Sequence, residues 1–250
     1  MPLWTVSPVF QSGTALVAQL PDSAATGGGS RGANAVDWQT VRASASEVAS
    51  GNSSAVLGGA NNRATATNTT VAGGSSNIVS GVNGWCPGGS RANTRSIQGM
   101  GAWGAGFIAA SGDAQSEEHV LRRQTTDATA TRLTSDNAVA GTGNTINLGN
   151  FSAIAGRLVV RGRAEGASLS AAWFIDLSAT RDASAASTLI EGGGGTAIAP
   201  THSRGLGSAW RLDVTADTTN GGIAVTVTGA AATTINWTAR FSAVQVATAS

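Results

Sequence analysis

Glycine pairs at Gly58-Gly59, Gly73-Gly74 and Gly88-Gly89 fall fifteen residues apart, with Gly104 fifteen beyond Gly89. A fixed interval between residues that accept positive φ forces the same corner into the chain again and again. Other positions keep step. Val56, Val71 and Cys86 precede the pairs identically, Asn62 and Asn77 follow them, and Ala64 and Val79 come two residues later. Asn tolerates left-handed backbone next best after Gly, so each copy supplies its own turn chemistry. Between corners lie short runs such as Ser54-Ala55-Val56-Leu57 and Thr69-Thr70-Val71-Ala72, which suit one turn of a β-roll or β-solenoid. The alternative is a Gly/Ser/Asn-rich linker. The phasing of the apolar positions argues against it.

Each copy offers only two or three medium apolar side chains to offset the entropy of ordering fifteen residues. A stack this thin is expected to need further chains, and three around an axis is a simple closed arrangement. Val56, Val71 and Cys86 are the expected trimer seam. Cys86 is the only cysteine, so no intrachain disulfide forms, and it is read as a small buried hydrophobe in preference to a reactive thiol.

Three zones follow from composition: an attachment segment and linker over 1–45, the repeat over 46–112 and a C-terminal domain over 113–250. The first holds Trp4 and Phe10 as candidate attachment residues, then the turn-rich ATGGGSRGAN. The third shows period-two alternation. Trp210, Leu212 and Val214 alternate with Arg211, Asp213 and Thr215, and Ile223, Val225 and Val227 with Ala224, Thr226 and Thr228. Asn220-Gly221-Gly222 between those runs is a hairpin signal. Further strands are read in VLRRQ, ATRLT, NTINL, RLVVRGR, AAWFIDLS, STLIE and TINWTARFSAVQV. The predicted fold is all-β: a trimeric β-roll or solenoid-like region followed by a jelly-roll-like β-sandwich.

The stretch RGANAVDWQTVRASASEVASGNSSAVLGGANNRATATNTTVAGGSSNIVSG resembles the collar region of phage tail-fibre proteins. Its repeats are similar to the head repeats of trimeric autotransporter adhesins, which form a homotrimeric parallel β-roll. EEHVLRRQTTDATATRLTSD and AWRLDVTADTTNGGIAVTVTGAAATTINWTARFSAVQV resemble C-terminal β-domains of tail fibres. The resemblance implies a structural virion protein, a homotrimeric tail fibre or spike component in host attachment, joined to a baseplate or tail protein through its N-terminus. The alternatives are a bacterial trimeric surface adhesin, a connector or decoration protein without receptor binding, and, less favoured, a glycan-degrading tailspike.

The side chains for catalysis are sparse. Glu117 and Glu118 would point to opposite faces of a strand, while Asp176, Glu191 and Asp213 are read as solvated sheet positions. His119 and His202 are read as loop or surface residues, and Ser203 beside His202 makes no triad. The chain is therefore expected not to be an enzyme, and no cofactor or metal ligand set is assigned. Net charge is +1 with no lysine, which excludes a basic block of the kind that binds nucleic acid. MPLWTVSPVF lacks the features of a secretory signal, and no apolar run is long enough for membrane insertion. The expected location is the virion tail, after synthesis in the host cytoplasm.

Trp173, Trp210 and Trp237 are expected in the core with their indole N–H groups satisfied at the sheet edge. Trp85 and Trp103 interrupt the repeats. Counted by fifteen they are out of register, so a shared role is not expected. The long connections SATRDASAAS and GGGGTAIAPTHSRGLGS would carry recognition of a host surface glycan or protein, with Arg181, His202 and Arg204 as donors.

Overall fold

A computed structural model describes residues 9–10, 15–205 and 210–248. These are all-β, with no α-helix among them and one 3-10 turn at Ala185–Ser187. No helix is long and apolar enough to cross a membrane among the described residues. The chain divides into two compact units, Met1–Ser96 with Gly101–Phe107, and Ile97–Met100 with Ile108–Ser250.

The first unit is a parallel β-solenoid of about five turns. Leu16–Val17 pairs with Val36–Asp37, then Ala55–Val56, Thr70–Val71, Trp85–Cys86 and finally Gly101. Stacking thus begins at Leu16, inside the segment expected to be attachment and linker. The fifteen-residue interval holds from Ala55 to Trp85, whereas the turns from Leu16 to Val36 and from Val36 to Ala55 are longer. Gly59, Gly74 and Gly89 form one corner column, at φ of 82°, 80° and 84°. A Cβ on Gly74 would collide with the Gly89 carbonyl oxygen of the next turn, so both φ and space demand glycine there.

Asn62 and Asn77 do not make corners. Asn61, Ser76 and Arg91 hold one left-handed column and Asn34, Ser53, Asn68 and Asn83 another, while Asn62 and Asn77 point inward and are fully buried. Gln39 Oε1 accepts from the Asn62 amide at 2.9 Å, Asn62 Oδ1 from the Asn77 amide at 3.0 Å and Asn77 Oδ1 from the Ala92 amide at 3.0 Å. The Asn77 Nδ2 donates to Gly73 O at 3.1 Å and Gly89 O at 3.2 Å. A side-chain ladder therefore ties successive turns through an interior that apolar residues alone do not fill.

Val56 and Val71 are 0% exposed and Cys86 1% in the single chain, so their burial is complete without a second copy and they are not the seam. In each two-residue rung the second residue faces in and the first faces out. Burial pushes the Cys86 thiol pKa up against a bond to Gly88 O at 3.2 Å, which keeps it protonated and inert.

The phrase RGANAVDWQ carries the Val36–Asp37 rung, the second of the stack. Asp37, 0% exposed, receives Arg31 Nε at 2.9 Å and Arg42 Nη2 at 3.2 Å. Arg31 also donates to Gly27 O at 2.6 Å and Gly29 O at 2.8 Å, and Arg42 to Gln39 O at 2.5 Å and Glu47 O at 3.0 Å. The two guanidiniums pin the glycine-rich 27–29 segment and the 39–47 loop to one buried carboxylate.

The second unit contains two antiparallel sheets. One runs Ala114–Thr125, Ile235–Ala247, Ser152–Ala164, Ser170–Arg181 and Leu189–Gly192, with His202–Arg204 also pairing Ser170–Arg181. The other runs Thr131–Arg132, Gly222–Thr228, Arg211–Asp217 and Gly195–Ile198, with Ile146–Asn147 also on Gly222–Thr228. Inward residues of both sheets share one apolar cluster: Leu158, Trp173, Trp237 and Phe241 from the first, Leu212 and Val225 from the second. Trp237 lies 6.0 Å from Trp173 and 5.1 Å from Trp210, ring centre to ring centre. As expected, Trp173 donates to Ile198 O and Trp237 to Thr125 Oγ1, each at 2.9 Å.

The NGG signal closes the hairpin between Arg211–Asp217 and Gly222–Thr228, with Gly221 at φ 80°. Asp217 caps the turn by accepting from the amides of Thr219 and Asn220, and it pairs with Arg132. Burial opposes its ionisation, but the Asn220 amide and side chain, the Arg132 charge and the Thr219 amide outweigh it, and its pKa is lowered. A carboxylate with a depressed folded pKa stabilises above its unfolded pKa, and that contribution fades as pH falls through the folded value. We predict that Asp217→Ala costs about 2 kcal/mol at pH 7. The gap to the parent should close in urea melts as pH drops below 4; a gap independent of pH would contradict the assignment.

Candidate functional site

Three strands of the large sheet, Ser152–Ala164, Ser170–Arg181 and His202–Arg204, place a cluster of cations on one outward face. Register fixes it: Arg163 is opposite Ser170, which is opposite Arg204, and Arg161 is opposite Ala172, which is opposite His202. Positions two apart on a strand share a face, so both rows point the same way. The small side chains of Ser170 and Ala172 leave a floor, with Arg161 and Arg163 as one wall and His202 and Arg204 as the other. The result is a trough of about 330 Å³, which Ser168 and Leu169 also line. Phe174, 41% exposed, continues the floor, and its ring meets that of His202 edge-on at 5.8 Å.

Arg161 donates to Ser170 Oγ at 3.3 Å, while Arg163 and Arg204 form no ion pair among the described residues. A neighbouring cavity shares Arg163 and Ser168 and adds Glu165 and Asn236. The Glu165 carboxylate accepts from Asn236 Nδ2 at 2.8 Å and Gln124 Nε2 at 3.2 Å.

Of the three residues expected to bind, His202 and Arg204 come together here, on an edge strand where a loop was expected. Arg181 does not. It sits nine residues beyond Ala172 on the same strand, roughly 30 Å away by strand rise. Its guanidinium donates to Leu148 O at 2.6 Å and Gly221 O at 3.2 Å, bracing the hairpin turn, and burial lowers its pKa. Trp4 lies outside the described residues; Phe10 belongs to the short strand Val9–Phe10 paired with Leu16–Val17. Sequence reasoning misses Arg161 and Arg163 as site residues. Their alternation around Gly162 is the available signal.

The remaining candidates divide by face. Glu117 is buried and Glu118 turns outward to Arg240 at 3.5 Å, as strand parity requires. His119, expected at the surface, is 2% exposed and bonds Glu117 Oε2 at 3.0 Å, because it shares the inward parity of Leu121. Glu191 accepts from Ser178 Oγ at 2.8 Å, Asp213 from the Ala197 amide at 2.6 Å, and Asp176 faces Arg157 at 3.9 Å. No group of three metal-ligating side chains converges among the described residues.

Trp85 and Trp103, expected to be unrelated, stack with ring centres 6.2 Å apart. The last turn takes sixteen residues from Trp85 to Gly101 and fifteen from Gly89 to Gly104.

No family model and no curated protein matches the chain. Among solved structures it is similar to gp49 of the Acinetobacter baumannii bacteriophage Fri1, a tailspike protein described as a capsular polysaccharide depolymerase, at 8% identity and a TM-score of 0.30. The likeness covers 94% of this chain and 44% of that one, so the chain spans less than half of the length of that protein. That neighbour is an enzyme, and the expectation that this chain is not one is withdrawn on that finding. A likeness of this strength supplies no argument for a particular activity.

Proposed function

We propose that the chain is a structural component of a phage tail, a homotrimeric fibre or spike segment in host attachment. In this reading the solenoid is the shaft, and the two sheets of the second unit form a jelly-roll-like sandwich that meets the host surface. The observation that carries it is a stripe on the solenoid. Trp38, Leu57, Ala72 and Pro87 follow the inward rung residues in one register, all exposed, and Leu57 is 52% so. Trp85 and Trp103 extend the stripe. None of these side chains is charged, and a contiguous apolar stripe of this length calls for cover.

A second and third copy suit it, since an uncharged stripe packed along a three-fold axis meets the same stripe of each copy. The seam thus moves from Val56, Val71 and Cys86 to their outward neighbours. The resemblance of residues 31–104 to tail-fibre collars supports the tail setting, with Trp4 and Phe10 proposed to contact a baseplate or tail protein. The particle assembled in the host cytoplasm would carry His202 and Arg204 towards a host surface glycan or protein. The test is electron microscopy of tail particles bearing a gold-labelled tag on the C-terminus. Label at the outer end of a tail appendage is expected; particles that never carry the label would refute the tail assignment.

A further inference from the structure

We infer that the trough between Arg161, Arg163, His202 and Arg204 is a subsite for a carboxylate-bearing sugar, followed by a subsite for an uncharged one. The inference rests on the attachment reading above and gives its site a ligand class. Arg163 and Arg204 stand on either side of Ser170, two strand spacings or about 10 Å apart at the backbone. Guanidiniums reaching inward from both walls can close on a single carboxylate held between them, each with two parallel N–H donors. Both are free to do so, having no carboxylate partner among the described residues.

The rest of the trough suits a pyranose ring. Ser168 and Ser170 bring hydroxyls that donate and accept, matching sugar hydroxyls in both roles. Next after Ala172 on that face of the strand, Phe174 offers a partly exposed ring, with the His202 ring edge-on to it and the Arg157 guanidinium 5.7 Å from its centre, against which the C–H face of a sugar can lie. A volume of about 330 Å³ is at the small end of ligand pockets and accommodates a ring or two, not a protein loop.

The adjoining cavity sets the charge pattern. It borders the first across Arg163 and Ser168, which line both, so the two lie within reach of one chain-like ligand. Glu165 faces that second space, where it would repel another anion but accept hydroxyl donors. A ligand charged at every unit, such as a polynucleotide, would set a phosphate against Glu165. A saccharide with acidic and neutral units in alternation avoids this.

The test is isothermal titration of the full chain with three probes at low and physiological salt: a hyaluronan tetrasaccharide, in which glucuronate alternates with a neutral sugar, maltotetraose, and an oligothymidylate of similar length. Hyaluronan tetrasaccharide should bind at least about 10-fold tighter than maltotetraose, as one charge-assisted pair provides. Its affinity should fall with added salt. The double variant Arg163→Gln, Arg204→Gln should lose about 10-fold or more, with partial rescue in the Lys variant, while thermal melting stays unchanged because both arginines are solvent-facing. Equal binding of acidic and neutral probes, no binding by any saccharide, or an unchanged double variant overturns the inference. Tighter oligothymidylate binding overturns it in favour of nucleic acid. None of these results bears on whether the tag sits on a tail, so failure of the ligand class and failure of the attachment reading stay distinct.

Discussion

Asp37→Asn is expected to destabilise the solenoid by about 3–5 kcal/mol, the range found when one member of a buried charge cluster is removed and its partners remain. The substitution keeps the shape and leaves one carbonyl oxygen, but turns the other acceptor into a donor, so the loss combines charge with one hydrogen bond. In the parent a single carboxylate faces Arg31 and Arg42, and all three side chains are 0% exposed. Without it two guanidiniums share a dry site with only neutral acceptors, and burial already lowers the Arg31 pKa against the opposing pull of Asp37. The segments those arginines anchor, 27–29 and 39–47, should loosen first. Urea melts followed by far-ultraviolet circular dichroism would read this; a loss under about 1 kcal/mol would show that the cluster is not the clamp described.

Asn77→Ala is expected to cost about 3–5 kcal/mol, because it orphans groups on its own turn and on the next. The Ala92 amide loses its acceptor and Gly73 O loses its donor, both beside a side chain that is 0% exposed. Asn77→Asp is the sharper test. It retains an acceptor for Ala92, yet sets a carboxylate against Gly73 O, Gly89 O and Asn62 Oδ1, where the amide donated. At pH 7 it should be at least as damaging as Ala. Burial raises the pKa of such a carboxyl, so stability should recover as pH falls and the protonated acid donates again. An Asp variant milder than Ala at pH 7 would mean that Asn77 does not bridge the turns.

Both effects lie in residues whose importance local pattern does not reveal. The glycine period, the alternating strands and the NGG turn are legible because each is a local rule of backbone conformation or strand parity. Which residue of a rung faces inward is not, since a two-residue strand carries no alternation long enough to set its parity. Local pattern therefore puts Val56, Val71 and Cys86 on the seam, when the outward positions are Ala55, Thr70, Trp85 and the Trp38–Leu57 column. The start of the solenoid is hidden because its first two turns are longer than the repeat, and the short strands Gly195–Ile198 and His202–Arg204 because they lack any apolar alternation.

His119 is a related case. Counting back by two from Leu121 puts it inward with Glu117, but the adjacent Val120 is as apolar and faces out, so the parity is set by the sheet and not by the sequence. The cationic trough is readable only in part. Arg161-Gly162-Arg163 shows two cations on one face, but the strand that brings His202 and Arg204 opposite them pairs across thirty or more residues. Nearness to a loop groups Arg181 with them in the sequence. Register puts it at the other end of the strand.

In the proposed trimer two further copies cover the exposed stripe of the solenoid, and sedimentation equilibrium of the full chain decides whether they do. A species near three times the chain mass of 24.7 kDa is expected. Leu57→Asp should shift it to the monomer mass without loss of β-sheet signal, because Leu57 is outward and half exposed in the single chain. A stable wild-type monomer of 24.7 kDa at micromolar concentration, or a Leu57→Asp trimer indistinguishable from the parent, would contradict it.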